Sequence, residues 1–472
     1  MFDDFDTLYL VLSTINPHDY VRKKVNGYAM LDSIKALRKE IEQVHTTENF
    51  YWLINRALIL CQDGHTSPMR KYFYDYITDE DKQKWKSTPA DTAVIDEYSR
   101  IRGERLQSVK LSLPIKYING QYITLQTFFF NKIAVTANAI LINVNGMPVH
   151  SFVRTKLQHK KDLHWDFNNH RFYADDFYNS FDIPLTDKIR FEFKAGKKLL
   201  PLSLSLADSV SAATKLLYVK DKEIKKVAYF ADEKILYIRM PIMWDSAFYL
   251  QQIDSLQNVL PINSIEKVLL DVRDNAGGND GDWVSIITRF LQKPVIRNII
   301  KCLNPHNPFT QRIYADSFRI FKSPLIQNSE FTEAINAPDT ILPYKNKLRF
   351  SGKIYVIQNE NCFSATGDLI STCQFSDQLI NIGNSTGWFG GFGSMPWVFI
   401  LPHSKILYWT EPLIDFTNVK SPGDLFHNEV KIPLMLTTKD YLSRYSYKGD
   451  IYEQKFLLTE DPVVKRILSF TD

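Results

Sequence analysis

Apolar residues recur at helical spacing through the first hundred or so positions, and the pattern then changes twice along the chain. In Ala29–Val44, Leu31, Ile34, Leu37 and Ile41 fall on one helical face, and Phe50–Cys61 forms a second such run. That run ends at Gln62, Asp63 and Gly64, where the glycine stops the helix. A charged stretch, Thr78–Lys86, reads as a solvated face. From Val109 to Leu206 the pattern becomes β: Asn119–Gly120 splits two short runs as a hairpin turn does, and Ala139–Val149 bends at Asn145–Gly146. Ile189–Lys194 and Leu199–Leu204 read as a further hairpin. From Lys226 onward strands and helices alternate, with strands expected at Ile235–Met240, Lys267–Val272 and Ile354–Gln358. The helices between and after them are Asp245–Val259, Asp282–Leu291 and Ala365–Phe375. Alternation of this kind predicts an α/β core with parallel strands inside a multi-domain α+β chain. Three units are therefore expected: a helical subdomain over 1–105, a β module over 106–206, and an α/β core with a C-terminal extension over 207–472.

Composition narrows the function little. The 472 residues are 44% hydrophobic and 23% charged, as in an ordinary globular protein with ample core. A net charge of +4 without Lys/Arg clusters gives no reason to expect a nucleic-acid or anionic-membrane partner. Cys61, Cys302, Cys362 and Cys373 are scattered and read as free buried thiols, although spacing alone does not exclude a disulfide. The dispersed histidines form no HExxH, so neither a metal nor a cofactor is expected. No apolar run is long enough to span a membrane. No signal peptide is visible at the N-terminus, so the expected location is periplasmic or extracellular if a leader was removed, and otherwise cytoplasmic.

Three short segments carry candidate chemistry. Ser364 lies where an apolar strand, Lys353–Gln358, turns into a helical run. A hydroxyl there can be a nucleophile beside the unpaired N–H groups of a helix start. It can equally be an ordinary N-cap. In Val268–Gly281 a strand runs into Asp271, Arg273, Asn275 and the pair Gly277–Gly278, which lets the backbone come close to a ligand. A plain glycine turn explains that segment as well. In Cys61–Ser67, His65 follows a helix end and a glycine, and is either a base or a solvated histidine.

Together the segments resemble the tail-specific, or C-terminal-processing, serine peptidase family, its tricorn-like branch in particular. Asp271, Arg273, Asn275, Gly277 and Gly278 match its D-x-R-x-N-x-G-G turn. Phe363, Ser364 and Ala365 match the nucleophile helix start, with Asp368 one position beyond the usual acidic residue. Gly383, Thr386 and Gly387 match a G-x-x-T-G loop, and Asp63–Thr66 the D-x-H-T segment of the tricorn-like branch. Ile140–Val149 is similar to a stretch of the family's PDZ-like domain. The resemblance runs from about Asp63 to Asp450 and implies a ClpP/crotonase-like parallel-sheet core with a PDZ-like module.

The resemblance also implies a mechanism for hydrolysing polypeptide substrates, unfolded or C-terminal segments. Ser364 attacks, His65 is the base, and N–H groups of Gly277 or Gly278 and of Ala365 form the oxyanion hole. The Ser–Lys pair of the processing branch has no counterpart, because no lysine occurs from Cys373 through Ile400 and the next is Lys405. By position, the carboxylate that supports the histidine falls near His427, which makes Glu429 the first choice, with Glu411 and Asp63 as alternatives. The PDZ-like module implies capture of a peptide strand at a sheet edge. Since His65 and Ser364 are far apart in sequence, subdomain closure is a further expectation for aligning them. Two other readings stand beside this one: an inactive peptide- or ligand-binding relative of the same fold, and a crotonase-like acyl-transfer enzyme. The oligomeric state is not legible.

Overall fold

The computed structural model describes residues 1–76, 78–79, 92–108, 113–130, 133–159, 162–175, 188–205, 224–260, 264–303, 319–321, 333–345, 350–386, 396–415, 417 and 430–470. Most of the charged stretch after Thr78, Gly387 of the expected loop, His427 and Glu429 lie outside these residues.

The N-terminal region contains helices α1 (Phe2–Ile15) and α2 (Thr47–Ile59) with shorter helices between them. The predicted helix from Ala29 is α-helical only over Met30–Ala36 and tightens to 3-10 geometry over Leu37–Gln43. Thr46 caps α2 by accepting from Asn49 N–H, which sets its start ahead of the apolar run. The region then runs into a two-residue strand, β1 (Ser67–Pro68).

The β module follows: β2 (Ile115–Ile118), β3 (Gln121–Thr124), β4 (Ile140–Val144), helix α3 (Val149–Lys156), β5 (Lys188–Ala195) and β6 (Lys198–Ser205). The spatial order is β6-β5-β4-β3-β2, with Met147–Pro148 added on β4. Asn119–Gly120 and Asn145–Gly146 take positive φ at the expected turns. The strand expected after Asn145–Gly146 is only two residues long, because α3 begins at Val149.

The core is built from β7 (Lys226–Phe230), β8 (Ile235–Arg239), α4 (Ser246–Val259), β9 (Lys267–Asp271), α5 (Asp280–Ile287), β10 (Val295–Leu303), β11 (Arg319–Phe321), β12 (Glu333–Ile341) and β13 (Lys353–Gln358). It continues with α6 (Ala365–Thr372), β14 (Leu379–Gly383), β15 (Trp397–Ile400), β16 (Leu407–Thr410), β17 (Leu413–Asp415) and β18 (Ile432–Pro433). The main sheet has the order β7-β8-β9-β13-β14-β18, and all its pairs from β8 to β18 are parallel. Both faces are covered. Leu236, Ile238, Val268, Leu270, Ile354 and Val356 pack against Tyr249, Trp283 and Leu369 of the helices. Their alternates Ile235, Tyr237, Leu269, Tyr355 and Ile357 pack against Phe456, Leu457, Val463 and Ile467 near the C-terminus. That double burial is why these strands read as unbroken apolar runs.

Two smaller sheets attach other parts of the chain to this core. In the first, β1 pairs antiparallel with β16, with Ser67 opposite Trp409 and Pro68 opposite Tyr408, and β15 completes it. In the second the order is β11-β12-β10-β17. The N-terminal helices share a core with Leu401, Ile406 and Tyr408, so they are packed onto the first of these sheets. All four cysteines are buried and free.

Candidate active site

Because β8, β9, β13 and β14 run parallel, their carboxyl ends lie along one edge of the sheet, where ligands bind in open α/β sheets. Ser364 follows β13 there, and Gly277–Gly278 follow β9. Ser364 takes φ 55° and ψ −125°, a left-handed backbone that is costly for a residue with a Cβ. It stands at the N-cap position of α6, yet its side chain makes no capping bond. Its Oγ instead lies 3.1 Å from His65 Nε2. The capping explanation of this serine therefore fails, and so does that of His65 as a solvated residue, since its side chain is only 13% exposed.

The turn carrying His65 is built from its neighbours. Gln62 and Gly64 both have positive φ. A Cβ on Gly64 would stand 2.4 Å from the Phe363 ring, which packs against the His65 imidazole with centroids 4.6 Å apart. Asp63 is fully buried and accepts from His65 N–H (3.0 Å), Thr66 N–H (2.6 Å), Thr66 Oγ1 (2.6 Å) and Asn16 Nδ2 (2.9 Å). Burial pushes its carboxyl up, but His18, Thr66 and Asn16 outweigh that and hold it below the usual value. Asp63 thus shapes the turn and does not face the imidazole.

Among the described residues, Glu411, just past β16, is the carboxylate that reaches His65. Its Oε2 lies 2.9 Å from His65 Nδ1, with the N–H direction off the line to the oxygen. Such loose alignment is common in free enzymes. The pairing of β1 with β16 makes this meeting possible, and Thr66 Oγ1 bonds Thr410 Oγ1 (2.9 Å) and accepts from Glu411 N–H (3.3 Å). Asn16 Nδ2 adds a bond to Thr410 Oγ1 at 3.1 Å. Burial lowers the His65 imidazole, but Glu411 more than offsets it, so its pKa is raised above the ordinary value. Burial likewise pushes the Glu411 carboxyl up, with His65 opposing.

The expected oxyanion donors need one correction. Gly277 N–H donates to Asn275 Oδ1 at 2.8 Å, so it is already committed. Met243 donates its N–H to Gly277 O, and its carbonyl accepts Asn279 N–H, which turns the N–H of the intervening Gly278 away from Met243. Neither Gly278 N–H nor Ala365 N–H bonds a described residue. The glycine at 277 is required by proximity: a Cβ there would be 2.7 Å from both Phe363 O and Ser364 Cβ, and 3.0 Å from Ala365 N. Asn275 also accepts Phe363 N–H on its carbonyl (3.1 Å), binding this turn to the Ser364 loop. Asp271 and Arg273 form a buried pair that Asp461 extends, and Asp271 is held well below the carboxylate range, burial opposing and Arg273 prevailing.

Sequence reasoning missed Thr410, Asn16 and Asp162. Asp162 Oδ1 accepts Gly64 N–H at 3.4 Å, while Gln62 bonds Gln158 O and Leu163 N–H, so the β module grips the His65 turn. No motif announces these contacts, because each depends on chain segments meeting across the fold. His65 and Ser364 are already within reach, so subdomain closure is not needed to bring them together. On edge strand β2, Tyr117 N–H donates to Asp175 O and the Tyr173 ring stacks on Tyr117 at 4.2 Å, so the chain itself covers that stretch of edge.

A parallel-sheet core with a serine, a histidine and a buried carboxylate in sequence-distant contact has the parts of a serine hydrolase. Residues 234–418 match the model of peptidase family S41. The crystal structure of mature CPAF superposes with a TM-score of 0.58 at 11% identity, over 98% of this chain and 97% of that one. Mature CPAF complexed with lactacystin gives 0.57 at 11% identity, over 98% of each chain. At that identity the likeness speaks for the fold. No curated protein matches the sequence. The part of the chain that carries the core motifs thus matches the serine peptidase family that they resemble.

Proposed function

We propose that this serine peptidase works by a Ser–His–Glu mechanism on unfolded or C-terminal segments of polypeptides. The observation that carries the proposal is the 3.1 Å approach of His65 Nε2 to an uncapped, strained Ser364. Ser364 Oγ attacks the scissile carbonyl while His65 takes its proton, and the same histidine then protonates the leaving amine. Water repeats the sequence in reverse on the acyl-enzyme, releasing the carboxylate product. Glu411 orients the imidazole and stabilises the imidazolium. Gly278 and Ala365 N–H groups receive the oxyanion. The three units stand as a helical subdomain carrying His65, a PDZ-like module and the catalytic core.

The test is incubation with an unstructured polypeptide and, separately, a serine-reactive phosphonate. Ser364→Ala and His65→Ala should each lower turnover by about 10⁴-fold or more, and Ser364→Ala should abolish labelling. Cleavage that survives Ser364→Ala would overturn the assignment. A wild-type protein that neither cleaves nor labels would favour the inactive binding relative.

A further inference from the structure

We infer that Arg297 is a positioning residue: it ties β10 to the nucleophile helix and to the helix after the oxyanion turn, and β10 in turn carries the Glu411 arm. The inference rests on the roles proposed above for Ser364, Gly278 and Glu411. Arg297 lies on β10 with its side chain 9% exposed. Its Nη1 stands 2.9 Å from each carboxylate oxygen of Asp368 and 2.7 Å from Thr372 Oγ1, and its Nε donates to Asp339 Oδ2 at 2.7 Å. Asp368 and Thr372 lie one turn apart on α6, and Asp368 N–H donates to Ser364 O at 3.1 Å. The guanidinium therefore fixes the first turn of the helix that Ser364 begins.

The other two elements meet the same residue and strand. Trp283, on the helix that starts two residues after Gly278, lies with its ring centroid 5.6 Å from the guanidinium carbon. Its Nε1 donates to Asp280 Oδ1 at 2.9 Å. Farther along β10, Lys301, Cys302 and Leu303 pair with Asp415, Ile414 and Leu413, the strand that starts two residues after Glu411. One strand thus grips α6 and α5 through Arg297 and carries the Glu411 arm by its ladder. A planar fork with several fixed donors suits this, where a point charge on a flexible stem does not.

The test uses the full chain. Arg297→Lys keeps the charge and loses the fork. Arg297→Met combined with Asp368→Asn removes both charges together and leaves no buried ion alone. Both variants, measured well below their melting temperatures, should show kcat reduced by about 100-fold, the scale expected of a misplacement near 1 Å. KM should stay within about threefold. The NMR titration of His65 should move toward the ordinary histidine value as Glu411 drifts from it. Cooperatively folded variants with wild-type kcat and an unchanged His65 titration would overturn the inference. If the wild type itself neither cleaves nor labels at Ser364, the peptidase reading fails, and the His65 titration alone decides the role of Arg297.

Discussion

The two halves of the site are held in different ways. The Ser364 half is fixed by backbone: a strand end, a left-handed residue and a glycine whose missing Cβ lets two loops touch. The His65 half is fixed by side chains, with Asp63, Thr66, Thr410 and Asn16 joined in one buried polar network and Glu411 beside the ring. A backbone arrangement depends on few residues and fails sharply when one is changed. A side-chain network spreads its dependence over segments far apart in sequence, and its electrostatics respond to pH.

That contrast can be tested most severely at Glu411. Glu411→Gln should lower kcat by about 10³-fold or more with the protein still folded, because the imidazolium loses its counter-charge. His65 has a raised pKa when folded, and as a base it must be neutral. The acidic limb of kcat/KM in the wild type should therefore lie above the ordinary histidine value, and Glu411→Gln should move it down. An acidic limb that does not move on this substitution would remove Glu411 from the site. In the other half, Gly277→Ala should cost about 100-fold in kcat through displacement of the Ser364 loop, with no shift of the acidic limb. A shifted limb with kcat retained would reverse the contrast between the halves.

The smallest effect is expected at Asp162, where the β module touches the His65 turn. Its carboxyl is pushed up to about 7, by burial first and Asp63 next, with Arg22 opposing. The folded state then holds this proton more tightly than the unfolded chain does. Stability is lost as pH rises from the ordinary carboxylate value through about 7. Asp162→Asn should raise the melting temperature by a few degrees at about pH 8 and leave it unchanged at about pH 3. Calorimetry at the two pH values checks this, and a gain confined to the acidic side would contradict it.

Much of the core was legible beforehand because its signals are local. The strands before Ser364 and before Gly277–Gly278 are apolar runs closed by turn residues, and their burial on both faces leaves no alternative period to compete. Helix ends were less so: the helix expected over Asp282–Leu291 begins at Asp280, where Asn279 accepts Gly281 N–H, and ends at Ile287. The choice among the carboxylates was the least legible. Glu411 lies in no motif beside His65, and reaches it only because β1 pairs with β16.

The sequence by itself determined three central strands of the sheet, the strand-to-helix turn at Ser364, the paired glycines after the strand at Lys267 and the turn that presents His65. Each is a matter of local conformation, written within a few residues. Only the tertiary structure showed that Glu411 meets the imidazole, that Gly277 N–H is already spent on Asn275, and that Arg297 reaches α5 and α6 from β10. Those contacts join segments tens to hundreds of residues apart. Many pairings of that kind are compatible with one chain, and the packed fold allows one.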